Sequence, residues 1–318
     1  MKISVIVPTF RRPRDLERCL ASLTTQLRPA DEILAVTRDI DLESQHVADG
    51  VAAACRVVRR ITVSRPGVIE AMSRGLDAAT GDVIALIDDD AAADPTWLQR
   101  IEGHFAADPS LAGVGGRDYV YHGDRLVDGA SPDVGRVQWW GRVIGNHRTG
   151  VGPPRTVDVL KGVNCAYRAS ALRAIGFDTR LRGAGAQVYW ELSLGLTMQR
   201  AGYRLLYDPA IRVNHYEAIR HGDDQRVALN FHDDAQRDAV HNETLVLLEH
   251  LPSLQRAAFL LWTAVFGTAI APGVLHLPRL LMQRRPAIWR RFVATMRGRA
   301  AGIASYVRRP ARRPTVSR

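Results

Sequence analysis

Short apolar runs alternate with segments of helical spacing over the first third of the chain. Strand-like runs fall at residues 3–7, 32–36, 61–63 and 83–87, and helical spacing falls at 13–27 and 68–79. The run at 83–87, Val-Ile-Ala-Leu-Ile, has no polar residue, which is typical of a strand buried on both faces. This alternation predicts an α/β fold with an open, mainly parallel, doubly wound sheet. Such sheets bind ligands at the carboxyl ends of their strands.

The middle of the chain has a weaker pattern. Residues 113–154 are rich in Gly, Trp and polar residues, and they predict loops with short strands. Helical spacing returns at 169–175 and 190–201. A strand is predicted at 203–207, ending at Asp208-Pro209.

The C-terminal tail predicts apolar and amphipathic helices. Residues 257–278 contain no charged side chain and approach the length that spans a bilayer, but Pro272-Gly273 interrupts them, so we expect no straight transmembrane helix. Residues 287–307 have an apolar helical stripe opposite most of the arginines, formed by Ile288, Phe292, Met296, Ile303 and Val307. This pattern suits the plane of an anionic membrane surface. The alternative is that both helices pack on the rest of the protein.

The formal net charge of +10 is concentrated in that tail. Thirteen of the 43 Lys and Arg residues lie after Glu249, where the chain has no Asp or Glu. Residues 1–249 therefore carry 30 basic and 33 acidic side chains. This slightly acidic body argues against nucleic acid as a partner, because a nucleic-acid groove needs Lys and Arg over its binding face.

The cysteines and the N-terminus indicate the compartment. Cys19, Cys55 and Cys165 are odd in number and have no Cys-x-x-Cys spacing, which favours reducing surroundings over a disulfide or zinc framework. The apolar run at the N-terminus is too short for a signal peptide. Together with the tail, these features predict a cytoplasmic protein that lies peripherally on the inner face of the cell membrane, with one membrane-inserted segment as the alternative.

Three consecutive carboxylates follow the apolar run at 83–87. Asp88, Asp89 and Asp90 therefore lie where a doubly wound sheet binds ligands. Adjacent carboxylates repel one another unless a cation neutralises them, and their oxygens suit Mg²⁺ or Mn²⁺. A metal at this position would stabilise the negative charge on a departing nucleotide diphosphate. A solvated acidic turn is the alternative, but the position of the triplet favours the metal.

Two other strand ends carry polar side chains. Pro8, Thr9 and Arg11 follow the first strand and could bind a nucleotide. Arg38 and Asp39 follow the second strand and could contact a base or a ribose. An ordinary polar loop explains the second group equally well.

Together these motifs resemble glycosyltransferase family 2, the inverting transferases with a GT-A-type fold. The resemblance covers about residues 3–216 and keeps the family's order, with Val-Pro-Thr-Phe-Arg-Arg at 7–12, the strand and acidic triplet at 80–90, Lys-Gly-Val-Asn-Cys-Ala-Tyr-Arg at 161–168 and Gly-Tyr-Arg-Leu-Leu-Tyr-Asp-Pro at 202–209. It implies transfer of a sugar from a nucleotide diphosphate donor, most often UDP, to a hydroxyl of a glycan, lipid-linked or polysaccharide acceptor.

The resemblance also implies an organisation and a site. Residues 1–112 would form the nucleotide-sugar-binding half, 113–250 the acceptor-binding and catalytic-base half, and 251–318 the membrane-associated tail. The implied nucleotide-sugar contacts are Pro8, Thr9, Arg11, Arg38, Asp39, Ser73, Asp88 and Asp89; the metal ligands are Asp88, Asp90 and His215; the acceptor contacts are Gly162, Asn164 and Trp190. Glu191 takes the position of the catalytic base, and residues 241–243 are a further acceptor contact.

The chain departs from the family at two positions. Ser73 stands where the family often has Asn, and Thr37-Arg38 stand where it often has an acidic run. Both departures affect the nucleotide contacts, and therefore the identity of the donor base.

Two other functions would use a similar fold. A nucleotidyltransferase would need a Gly-rich basic loop near the first strand, but the loop here is Pro-Thr-Phe-Arg-Arg. A catalytically silent, membrane-tethered carbohydrate-binding protein would not need its acids, yet Asp88, Asp90 and Glu191 are all present.

Overall fold

Of the twelve strands in the described part of the chain, ten form one sheet and the other two form a separate pair. The computed structural model describes residues 1–218, 231–283 and 287–308. Its strands are β1 (Ile3–Pro8), β2 (Glu32–Arg38), β3 (Val58–Val63), β4 (Val83–Leu86), β5 (Ala91–Ala93), β6 (Leu111–His122), β7 (Arg125–Leu126), β8 (Arg136–Val137), β9 (Val143–Ile144), β10 (Arg155–Val157), β11 (Cys165–Arg168) and β12 (Arg204–His215). Its helices are α1 (Pro13–Thr24), α2 (Leu42–Ala54), α3 (Val68–Ala78), α4 (Trp97–Ala107), α5 (Ala169–Ile175), α6 (Trp190–Arg200), α7 (Asp233–His250), α8 (Ser253–Val265), α9 (Leu277–Met282) and α10 (Ile288–Arg308).

The strand order is β10-β12-β6-β11-β4-β1-β2-β3, with β5 beside β12 and β7 beside β6. The strands β4, β1, β2 and β3 are parallel, as are β12 and β6, whereas β11 is antiparallel to both of its neighbours. This architecture confirms the predicted α/β fold with a mainly parallel sheet. Because β11 joins the two parallel portions, the segments predicted as two halves share one sheet.

The central strands are buried on both faces, which explains why β4 has no polar residue. On β1, Ile6 packs into the apolar cluster on one side of the sheet, and Val5 and Val7 pack into the cluster on the other. On β4, Ile84 and Val83 are divided in the same way. Residues of α3 and α6 belong to the first cluster and those of α1 and α4 to the second. With both faces covered, the carboxyl ends of the strands are left for ligands.

The prediction for 113–154 was wrong in its first part, because β6 is a long central strand. Its glycines lack the β-branched side chains that signal a strand, but they allow β12 to approach closely. A Cβ added to Gly116 would lie 1.9 Å from the backbone oxygen of Ile211. The predicted end of β12 at Asp208-Pro209 was also wrong. The register shifts between Asp208 and Arg212, so a bulge accommodates the proline and pairing with β6 resumes beyond it.

The tail packs partly on the body. Helix α8 ends at Val265, before the predicted break, and among the described residues no helix is long and apolar enough to cross a membrane. Helix α10 lies on α7 through small residues: a Cβ added to Gly302 would lie 2.7 Å from Thr244 Cβ. Of the predicted stripe, Ile288 is buried, whereas Ile303 and Val307 are exposed. The basic run at 309–318 lies outside the described residues.

We expect Gly302→Leu to destabilise the protein by about 1–3 kcal/mol, because the added side chain must displace α10 from α7. Urea denaturation measures the change. Ala300→Leu is the matched control, because Ala300 is exposed on the same helix. Equal midpoints for the two variants would contradict this packing.

Candidate active site

A cavity of about 230 Å³ lies at the carboxyl ends of β1, β2, β3 and β4. The predicted site residues that line it are Pro8, Thr9, Arg38, Asp88, Asp89, Asp90, Gly162, Trp190, Glu191 and His215. It therefore brings together residues from both predicted halves, at the edge where a doubly wound sheet binds its ligands.

Asp89 is held by the loop that follows β1. Thr9 Oγ1 donates a hydrogen bond to Asp89 Oδ2 at 2.7 Å, and Arg12 Nη1 donates one to Asp89 Oδ1 at 2.7 Å. The same Arg12 nitrogen lies 3.4 Å from Asp90 Oδ2. Burial raises the pKa of Asp89 to about 7, and the charge of Arg12 opposes this rise. Since both of its oxygens accept hydrogen bonds from protein donors, Asp89 attaches the acidic triplet to β1.

Asp88, Asp90 and His215 form a possible metal site. Each offers one ligand atom, and these atoms lie within 4.8 Å of one another. Asp90 Oδ1 is buried 3.2 Å from His215 Nε2, and no hydrogen-bond donor of the described residues satisfies it. Two carboxylates and an imidazole suit Mn²⁺ or Mg²⁺. A cation bound by these atoms would satisfy the orphaned oxygen, so the residues present fit such an ion.

The ion pair of Asp118 and Lys161 contacts the Nδ1 side of His215. Asp118 is fully buried on β6, and its Oδ2 lies 3.4 Å from His215 Nδ1 and forms a salt bridge with Lys161. Burial lowers the pKa of His215, but its hydrogen bond with Asp118 and the nearby charge of Asp90 outweigh burial and raise the pKa to about 9. The contact of Nδ1 with Asp118 fixes the orientation of the imidazole ring, and in this orientation Nε2 faces Asp90. A bound metal would replace the proton on Nε2, since histidine binds metals in its neutral form.

Glu191 lines the cavity from the first turn of α6. Tyr189, with a φ of 76°, turns the chain into this helix, and buried Trp190 packs edge-on against Phe177 with ring centroids 5.8 Å apart. Gly162 leaves room for both side chains: a Cβ there would lie 2.4 Å from Trp190 Cζ2 and 3.3 Å from Glu191 Oε1. Trp190 therefore anchors the helix start, and the Glu191 carboxylate lies beside Gly162.

The segment 181–189, which precedes α6, forms another part of the cavity wall. The backbone nitrogen of Val68 donates a hydrogen bond to the oxygen of Gly185 at 3.0 Å, and that of Ile69 donates one to Gln187 Oε1 at 3.0 Å. These bonds join the segment to the start of α3. The wall therefore connects the acceptor half of the predicted organisation to the nucleotide half.

Helix α7 holds the same segment from the other side. Asn242 is fully buried, accepts a hydrogen bond from the backbone nitrogen of Arg182 at 2.8 Å, and donates to the oxygens of Arg182 and Val188. The neighbouring His241 lies 2.9 Å from Ser305 Oγ of α10. Residues 241–243 are outside the cavity lining and support its wall, and the acceptor contact expected of them stays a prediction.

Four other predicted site residues also lie outside the lining, namely Arg11, Asp39, Ser73 and Asn164. Arg11 and Asp39 are exposed, and Ser73 is half-buried on α3. Asn164 is buried beneath the cavity, where it accepts a hydrogen bond from Trp97 Nε1 at 2.8 Å and donates to backbone oxygens of β6 and of Ile211. The fold uses three of the four hydrogen bonds that this amide can form, and the acceptor contact of Asn164 stays a prediction.

Sequence reasoning missed three charged residues at the site, Arg12, Asp118 and Lys161. A signal for Arg12 existed, since a buried acidic triplet needs a cation and Arg12 follows the first strand. Lys161 opens the motif at 161–168, but no signal pointed to its partner Asp118, because β6 itself was not predicted.

Comparisons with known sequences place the chain among sugar transferases. A glucosyl-dolichyl phosphate glucuronosyltransferase from Haloferax volcanii is 25% identical over 225 residues, which cover 68% of this chain and 69% of that protein. A pre-mycofactocin glycosyltransferase from Mycobacterium tuberculosis is 28% identical over 218 residues, which cover 67% of this chain but only 42% of the relative.

Solved structures share the fold. GalNAc-T7, solved with UDP, GalNAc and Mn²⁺, superposes with a TM-score of 0.61 at 16% identity, covering 78% of this chain and 48% of that one. A mannosyltransferase from Pyrobaculum calidifontis, solved with GDP-Man and Mn²⁺, has a TM-score of 0.55 at 16% identity over 96% of this chain and 87% of the other. The profile of glycosyl transferase family 2 matches residues 4–176, more than half of the sequence. The chain is therefore a member of glycosyl transferase family 2, and it is a glycosyltransferase with a GT-A-type fold.

Proposed function

We propose that the protein is an inverting, metal-dependent glycosyltransferase that transfers a sugar from a nucleotide diphosphate to an acceptor hydroxyl. The observation that carries this proposal is that one cavity is lined both by the ligand set Asp88, Asp90 and His215 and by the carboxylate of Glu191. When bound, Mn²⁺ or Mg²⁺ would neutralise the charge that develops on the leaving diphosphate.

Glu191 acts in this proposal as the general base. A protonated hydroxyl is a poor nucleophile, and inversion requires attack from the face opposite the leaving group. The base must therefore come from an element other than the one that holds the diphosphate. Glu191 begins α6, whereas the acidic triplet follows β4, so the two charges reach the cavity from different parts of the fold. The carboxylate of Glu191 accepts the hydroxyl proton as the new glycosidic bond forms.

The acceptor of this proposal is a lipid-linked glycan precursor. Its support is the Haloferax volcanii relative, whose name states that it acts on a sugar carried by dolichyl phosphate. The donor is a nucleotide diphosphate sugar. The two structural neighbours contain UDP and GDP-Man, so a fold of this type accommodates either base.

The tail is proposed to bind an anionic membrane surface. Its large exposed apolar side chains are Leu254, Leu261, Phe266, Ile270, Val274, Leu275, Leu281, Met282, Trp289, Ile303 and Val307. Exposed arginines accompany them, and no acid follows Glu249. Apolar side chains among cations suit the boundary between headgroups and acyl chains, and the cytoplasmic leaflet carries the negative surface potential that attracts them.

We expect Glu191→Gln to lower kcat by about 10²- to 10⁴-fold and to leave the Kd for the donor nearly unchanged, because it keeps the shape and removes the proton acceptor. Steady-state kinetics and calorimetry measure the two quantities, with exposed Glu17→Gln as the control. Retention of more than about a tenth of the turnover would remove Glu191 from the mechanism.

We expect Asp118→Asn to weaken Mn²⁺ binding by about 10- to 100-fold, because the carboxylate orients His215 and increases its basicity. Electron paramagnetic resonance of free Mn²⁺ measures the affinity without requiring turnover. Asp128→Asn is the control, because this carboxylate is exposed and pairs with Arg117, the residue before Asp118. Equal affinity in the two variants would show that Asp118 does not support a metal ligand.

Removal of the tail would not test membrane binding cleanly, because Phe259 of α8 is part of the core. We instead expect the double variant Met282→Ser, Trp289→Ser to bind vesicles containing phosphatidylglycerol about tenfold more weakly, since both side chains are exposed and apolar. Leu42→Ser, on exposed α2, is the control. The proposed membrane binding would be refuted if sedimentation with vesicles were the same for the variants and the wild type, with and without anionic lipid, and at low and high salt.

A further inference from the structure

We propose that the donor base is guanine and that Arg38 recognises it through the two acceptors on the edge of the purine. This inference rests on the proposed function, and it adds the class of nucleotide. It concerns the position where the chain departs from its family, since Arg38 stands where an acidic residue is common.

The backbone of Arg38 is fixed at the rim of the cavity. Arg38 is the last residue of β2 and pairs with Val63, the last residue of β3. The backbone nitrogen of Asp39 donates to the oxygen of Val63 at 2.9 Å, and Gln45 Nε2 donates to the oxygen of Arg38 at 2.8 Å. The side chain therefore projects from a rigid element, as a residue that discriminates between bases requires.

Arg38 lies at the distance from the metal site that a nucleoside spans. The order β4-β1-β2 places β2 two strands from the strand that precedes Asp88. At about 4.8 Å between neighbouring strands, this separation is roughly 10 Å. A nucleoside diphosphate with its phosphates at the acidic triplet therefore extends its base along the sheet edge, past Thr9, to Arg38 and Val63.

The guanidinium of Arg38 is available to a ligand. It lies over the ring of Phe10, with Cζ 5.5 Å from the ring centroid, and it lines the cavity. Its Nε is buried without a hydrogen-bond partner among the described residues, since the nearest carboxylate oxygen, on Asp39, is 3.7 Å away. The guanidinium therefore has hydrogen-bond donor capacity that the described residues leave unused.

The hydrogen-bonding pattern of the Arg38 guanidinium selects the base. Arginine offers hydrogen-bond donors only, in a planar arrangement that matches two adjacent acceptors. Guanine presents N7 and O6 side by side, whereas adenine pairs N7 with a donating amino group. Uracil has the N3 hydrogen, a donor, beside its O4 acceptor, so it cannot accept both hydrogen bonds from the guanidinium. Cytosine has adjacent acceptors, but the larger face of a purine buries more apolar area against Val63 and Val68 at the same wall.

The test measures the affinity of the full-length chain for GDP, UDP, CDP and ADP by calorimetry in the presence of Mn²⁺. We expect GDP to bind about 10- to 100-fold more tightly than UDP or ADP, which is the discrimination that a bidentate contact supplies. Arg38→Gln should remove this advantage and leave the affinity for UDP nearly unchanged. Arg65→Gln is the matched control, because it removes the same charge from an exposed residue just beyond β3.

The outcomes separate the two proposals. Tighter binding of UDP or CDP than of GDP would overturn the assignment of guanine while leaving the transferase proposal intact. An equal loss of affinity for all four nucleotides in Arg38→Gln would show that Arg38 contacts phosphate, which also overturns it. Failure of the folded wild-type protein to bind any nucleotide with Mn²⁺ would refute the proposed function itself.

Discussion

The carboxylates buried at the carboxyl end of β4 impose the constraint on which the rest of the structure depends. The triplet at 88–90 and Asp118 converge there, and like charges this close are stable only if donors and cations offset them. Arg12, Lys161 and His215 supply the offset from three different elements. Strands β1, β6 and β12 must therefore bring these groups together at the carboxyl end of β4. The same requirement creates the cavity, because the groups that neutralise the acids also line or support its wall.

A second set of contacts transmits the packing of the tail to that wall. Arg299 of α10 lies 3.6 Å from Glu243 of α7, and Tyr189 OH donates to the same carboxylate at 3.3 Å. Burial raises the pKa of Glu243 and lowers that of Arg299, so each charge depends on the other for its stability. Tyr189 precedes Trp190 directly. The start of α6, which carries the proposed base, is therefore supported by the C-terminal helix.

In the tail, the side chains that pack on the body differ from the large apolar side chains that are exposed. Gly298 and Gly302 allow α10 to approach α7 closely, and this contact is the integral part of the fold. The large apolar side chains, such as Trp289 and Val307, are on the exposed part. The buried face of α10 combines these small residues with two large ones, Ile288 and Arg299.

The sequence by itself determined the elements whose pattern is local. The apolar run before the acidic triplet identified β4, and the order of motifs identified the GT-A-type fold and half of the residues that line the cavity. Only the tertiary structure decided the roles of Asn164, Asn242 and Asp118. Each of these polar side chains is buried by elements distant in sequence, and β6 itself carries glycines in place of a strand pattern. A residue's local sequence states which hydrogen bonds it can form, but whether those bonds reach a ligand or the backbone depends on which distant strands and helices pack around it.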